Sequence, residues 1–287
     1  SLQIRDGKSS LNMINEAGRN LKLEVQGGVI SYDYVSSPSR TSSTSAAPVG
    51  IVYLPGLVRQ RNEAKSINLQ TLCRREDLYF LGADYFGVGR SSGQFSEGTI
   101  GRWTNDTIYL IDTVLNKRKT AGGPKEKLIL VGHGMGAWIS FLIALRRPDL
   151  VGGIVGLSAD PDFTEELLWK GLSEEIKEKI MTDGSCEITW GKEKYPITRG
   201  LILDGRENLL LAGGPGSVKV RCPVRLAHAL KDEEVSYQFS LRLLDCVASQ
   251  DASLLLLKGE ASHAMEGEAE FKAMRNMIME VLQASKG

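Results

Sequence analysis

Apolar and polar residues alternate strictly over Asn20-Leu-Lys-Leu-Glu-Val-Gln26, and a second β-rich run, Val29-Ile-Ser-Tyr-Asp-Tyr-Val35, follows across Gly27-Gly28. Two such runs around a Gly-Gly dipeptide predict a hairpin. From residue 49 the pattern changes. Short unbroken apolar runs alternate with stretches of helical period: Val49–Leu54 then a helix near 62–75, Leu78–Asp84 then 102–118, Lys127–Val131 then 136–147. The series resumes with Gly153–Leu157, Pro223–His228 followed by a helix near 236–248, and Ser253–Leu257 followed by one near 267–284. Continuous apolar runs are strands buried on both faces, so strand–helix alternation predicts a parallel sheet with covering helices.

Two stretches break the series. Residues 36–48 are rich in Ser, Thr, Ala and Pro without periodicity and are expected to be a flexible loop. Residues 160–215 are charged and largely helical in pattern and are expected to be a cap inserted into one domain spanning 1–287. The 31 glycines in 287 residues, about 11% against an average near 7%, cluster after apolar runs, where strand-to-helix turns need them.

Charge and composition narrow the function classes. Thirty-five basic residues balance thirty-five acidic ones, which argues against electrostatic capture of nucleic acid. The longest apolar stretch, Ala137 to Leu145 with Ser140 inside it, falls far short of the ~20 residues of a transmembrane helix. Cys73, Cys186, Cys222 and Cys246 lie apart with no C-x-x-C pair, so free thiols are expected rather than a disulfide framework or zinc site. The chain opens on Ser1 with no charged-then-apolar leader, which fits a targeting segment cleaved ahead of it.

The candidate chemistry centres on Leu128-Ile-Leu-Val-Gly-His-Gly-Met-Gly-Ala-Trp138. Gly132, Gly134 and Gly136 have the spacing and strand-to-helix setting of a nucleophile elbow, G-x-S-x-G. The central serine is replaced by Gly134. The partners of such a serine keep their chain order: Asp232, after the strand ending at His228, is the candidate acid, and His263, in Gly259-Glu-Ala-Ser-His263, the candidate base. Pro55-Gly56-Leu57 follows the strand Val49–Leu54, so the amides of Leu57 and Met135 are candidate oxyanion donors. His133 and His228 are expected to be packing or hydrogen-bonding residues, and Ser91, Ser92 and Ser140 are poorly placed to attack. Gly87-Val-Gly89 lacks the third glycine and the Lys-Ser/Thr of a phosphate cradle, so neither nucleotide nor other cofactor nor metal is expected.

Further motifs agree with these: Tyr53-Leu-Pro-Gly56, Asp84-Tyr-Phe-Gly-Val-Gly-Arg-Ser-Ser-Gly93, Thr99-Ile-Gly-Arg-Trp103, Arg147-Pro148 and Cys222-Pro-Val-Arg-Leu-Ala-His228. In this order the chain resembles the α/β-hydrolases over about residues 20 to 284. Within them it is similar to the mitochondrial palmitoyl-protein thioesterase and acyl-glucuronide esterase group and its bacterial relatives. The resemblance implies a mostly parallel eight-stranded sheet with an N-terminal antiparallel hairpin and a helical cap. It also implies a mitochondrial setting, with the family's acid at Asp232, its histidine at His263, its oxyanion amides at Leu57 and Met135 and its serine at Gly134.

Losing the nucleophile of such a triad costs about as much as losing the whole triad, on the order of 10⁶ in kcat. The leading expectation is therefore a catalytically inactive homologue, with vestigial triad positions Gly134, Asp232 and His263, acting as an accessory subunit among other protein subunits. The alternatives are an ester or thioester hydrolase whose His263–Asp232 pair activates water, a pocket that holds an acyl ligand without turnover, and a serine esterase inactivated by an engineered substitution.

Overall fold

The computed structural model describes residues 17–36, 50–116, 127–190 and 193–284. The chain runs β1 (Gly18–Val25), β2 (Gly28–Val35), β3 (Gly50–Leu54), α1 (Ala64–Arg75), β4 (Tyr79–Ala83), α2 (Ile100–Asn116), β5 (Leu128–His133), α3 (Met135–Arg146) and β6 (Val151–Leu157). After an insert it continues with β9 (Val224–Ala229), α6 (Gln238–Cys246), β10 (Ala252–Leu257) and α7 (Glu268–Ala284). The sheet order is β1-β2-β4-β3-β5-β6-β9-β10; β1–β2 and β2–β4 pair antiparallel and the rest parallel. The expected hairpin and eight-stranded, mostly parallel sheet are both present.

Side-chain alternation along the central strands builds two cores. Leu128 and Leu130 of β5 point to the face covered by α2 and α3, with Trp103, Ile111, Trp138 and Phe141. Ile129 and Val131 point to the opposite face, with Leu69 and Cys73 of α1 and Met274, Ile278 and Val281 of α7. Every residue of β3, β5 and β6 is buried, which explains why these strands read as unbroken apolar runs.

The insert between β6 and β9 contains a π-helical turn at Thr164–Trp169, α4 (Glu174–Asp183), an antiparallel pair β7 (Ser185–Trp190) and β8 (Glu193–Thr198), and α5 (Arg199–Arg206). The pair corrects the largely helical expectation for this stretch. Its signal is the alternation of half-buried Cys186 and Ile188 with exposed Glu187 and Thr189. The expected loop 36–48 lies, apart from Ser36, outside the described residues.

Two features place the site. The strand order reverses at β3, whose neighbours are β4 and β5, and such a switch point opens a crevice at the carboxyl ends of the strands. The register sets Leu54 beside Gly132, so the loops leaving β3 and β5 emerge side by side.

Candidate active site

At the end of β5 the chain turns sharply into α3 through Gly134, at φ 53° and ψ −121°. The three elbow glycines are present for different reasons. A Cβ on Gly132 would meet the Gly136 carbonyl oxygen at 2.4 Å, and one on Gly136 the Leu54 carbonyl oxygen at 2.1 Å, so backbone packing forbids a side chain at either. At Gly134 the nearest atom to a Cβ would be Nε2 of His263, at 3.8 Å, then Cα of Gly56 at 3.9 Å. Space for a side chain is open there, beside the imidazole, and none fills it.

The candidate acid and base meet. Nδ1 of His263, after β10, lies 2.9 Å from Oδ2 of Asp232, after β9. A carboxylate only accepts, so Nδ1 carries the proton and Nε2 presents its lone pair towards the elbow. Oδ1 of Asp232 accepts from the Glu234 and Val235 amides, 2.9 Å each, and Oδ2 also lies 3.1 Å from Nε2 of His228. Burial pushes the Asp232 carboxyl up, but the bonds from His228, His263 and the Val235 amide outweigh it and hold the group well below the usual carboxylate range. His228 is fully buried, with its ring also on Ser240 Oγ at 2.7 Å and the Val235 carbonyl at 2.9 Å. The expected hydrogen-bonding role is present, and it braces the acid; the signal was its position four residues before Asp232 at a strand end.

Leu57 and Met135, whose amides are the candidate oxyanion donors, both line the cavity at the elbow. Met135 opens α3, where an N–H has no intrahelical acceptor, and neither amide donates to a backbone carbonyl among the described residues. His133 sits closer to the site than its packing role suggested. Its Nε2–H donates to the His263 carbonyl at 2.8 Å, and burial lowers its pKa well below the usual imidazole range, so the ring is neutral. Lys65, 1% exposed, donates to the Ala264 carbonyl at 2.7 Å and pairs with Glu266 at 3.2 Å, which pins the loop carrying His263 onto α1.

The cavity has a volume of about 550 Å³. It is lined by Phe163 and Tyr195 of the insert, by His133, Gly134 and His263, and by Asp160. Of the six non-glycine residues at positive φ among those described, four belong to the loops around it: Val58, Ser158, Asp162 and Met265. Each such residue costs on the order of 1–3 kcal/mol, and strain of this kind gathers at functional sites. The serines judged unfit to attack serve structure instead: Ser140 donates to the Gly136 carbonyl, Ser91 to the Asp84 carbonyl, and Ser92 bonds Val29. Among the described residues no three His, Cys, Asp or Glu side chains are grouped to hold a metal ion. The arrangement brings an imidazole braced by a carboxylate to a cavity lined by Leu57, Gly134 and Met135.

The model of the serine aminopeptidase S33 family matches residues 67–190. The mitochondrial palmitoyl-protein thioesterase ABHD10 of Mus musculus is 31% identical over 226 residues, covering 77% of this chain and 71% of its own. The Homo sapiens protein of the same name is 29% identical over 228 residues, covering 78% and 70%. The solved structure of mouse α/β-hydrolase domain-containing protein 10 superimposes with a TM-score of 0.75 at 26% identity, covering 92% of this chain and 98% of that one. Est1E from Butyrivibrio proteoclasticus shares the fold, with a TM-score of 0.69 at 18% identity over 93% and 100% of the two chains. The chain therefore belongs to the α/β-hydrolase superfamily and, within it, to the ABHD10 group.

Proposed function

We propose that this chain is an α/β-hydrolase homologue without serine-esterase chemistry, which holds an acyl ligand under the cap formed by residues 160–215 and serves as an accessory subunit of a larger mitochondrial assembly. Gly134, Asp232 and His263 are then vestigial triad positions, with Leu57 and Met135 supplying amides that bind a carbonyl oxygen. The observation that carries the reading is the open space at Gly134: the imidazole stands 3.8 Å from the point where a Cβ would be, and no hydroxyl is attached there. The mitochondrial setting is taken from the names of the ABHD10 relatives. Leu241 of α6 and Leu256 of β10 lie exposed at the edge of the sheet, which supports a covered surface there. Native-gel sizing of gently lysed mitochondria is expected to find the chain above its own 31.4 kDa mass, and a free monomer would contradict the accessory role.

A second reading rests on the intact pair. With Asp232 oriented by three donors, His263 could take a proton from a water standing in the space beside Gly134, and the amides would hold the oxyanion. A residual enhancement of roughly 10³ to 10⁴ over water is the scale available without a nucleophile. Slow ester hydrolysis that disappears in His263→Ala would favour this reading; a rate unchanged by that substitution would eliminate it.

A further inference from the structure

Asp160 is 8% exposed, and its Oδ1 has no partner among the described residues. Its neighbour Asp162 differs: both carboxylate oxygens accept backbone amides, from Leu210 and Leu211 at 2.8 Å each. The Asp160 N–H reaches the Gly134 carbonyl at 3.4 Å, so the side chain springs from the residue hydrogen-bonded to the elbow, and it borders the cavity there. Burial, then the negative charges of Asp232 and Asp162, push its carboxyl well above the usual range and favour the protonated, donating form.

The cavity is lined by Leu57 and Met135, whose amides are the candidate donors, and by Asp160, whose carboxyl is a third neutral donor in the protonated form that burial favours. His263 presents Nε2 to the unfilled space at Gly134, and two exposed residues of opposite charge, Arg59 and Glu234, also line the cavity. A carboxylate has the matching chemistry, since it carries two acceptor oxygens and makes charge-assisted hydrogen bonds. One oxygen would rest on the amides, as an ester carbonyl does in a hydrolase. The other would enter the volume a serine side chain would occupy and accept from Asp160. The alkoxy oxygen of an ester is a poor acceptor in that place.

We propose that the cavity is a receptor for a free carboxylic acid with an apolar chain, and that Asp160 is the residue that selects the carboxylate over its ester. The proposal deepens the acyl-binding part of the function above and rests on it.

Titration calorimetry of the full chain with decanoate and methyl decanoate tests this. Decanoate is expected to bind about tenfold tighter or more, the scale of one hydrogen bond to a charged group. Asp160→Asn, which keeps a neutral donor, should preserve that preference to within about threefold, whereas Asp160→Ala should weaken decanoate alone by about tenfold. Equal affinity for the two probes, binding of neither, or Asp160→Ala changing both alike would overturn the proposal; if Asp160→Ala does not fold, Asp160→Leu, which fills the buried position without a donor, is expected to lose the preference, and a preference it retains would overturn the proposal. Release of methanol is followed in the same samples. Turnover of the ester would sink the non-hydrolytic function while leaving the carboxylate preference to be judged by the affinities.

Discussion

Single residues decide what this site can do. Gly132 and Gly136 are enforced by backbone contacts of 2.4 and 2.1 Å, whereas Gly134 has an open Cβ position. Gly136→Ala is thus expected to destabilise by roughly 1–3 kcal/mol, the scale of core overpacking, measured by urea denaturation. Gly134→Ser is sterically accommodated but places a side chain at φ 53°, which costs on the order of 1–3 kcal/mol. Asp160 makes a pH prediction. Its folded pKa is raised, so above the unfolded value of about 3.9 the folded state retains a proton that the unfolded state has released. Stability contributed by this site therefore falls as pH rises from about 4 towards the folded pKa. Asp160→Asn removes the dependence and is expected to raise Tm by roughly 2 °C or more at pH 7, with the gain vanishing near pH 4, by calorimetric scans. Asp232, with its depressed pKa, behaves oppositely: its stabilisation is present above about 3.9 and is lost as pH falls through the folded value. Gly134, Asp232 and His263 were legible because the elbow glycines and the chain order of acid and base are local patterns. Asp160 was not, because its significance lies in burial without a partner, which no spacing encodes.

At the scale of elements, strands buried on both faces and the Gly-Gly hairpin were readable to within a residue or two, since β3, β5 and β6 have no polar face to confuse the period. The β7–β8 pair was hidden because it lies on the insert, where its alternation is between half-buried and exposed rather than core and solvent. The loop geometry around the site was equally invisible, as it depends on side chains far apart in sequence. Lys65 bridges 199 residues to the Ala264 carbonyl and also pairs with Glu63 at 3.5 Å. Removing the ammonium deprives the Ala264 carbonyl of a charge-assisted hydrogen bond, whereas the Glu266 carboxylate it leaves is partly solvated. Lys65→Met is accordingly expected to destabilise by roughly 1.5–3 kcal/mol and to speed hydrogen exchange in the loop 264–266, read by denaturant titration and exchange mass spectrometry.

At the scale of the molecule, the fold is that of an α/β-hydrolase, with glycine at the centre of the elbow. The switch point brings the β3 and β5 loops together, β9 and β10 deliver a hydrogen-bonded acid and base, and the insert walls a cavity above them. A fold does not itself carry an activity; the site does, and in the proposed function this site, with glycine at the elbow, has no side chain to attack with. Turnover of palmitoyl thioesters and short-chain esters by the purified chain, measured beside Gly134→Ser, tests this most directly. The account predicts a native chain near the uncatalysed rate and a gain of about 10³-fold or more on restoring the hydroxyl, below the ~10⁶ of a fully optimised triad. A native chain that already hydrolyses these substrates as fast as Gly134→Ser would contradict it.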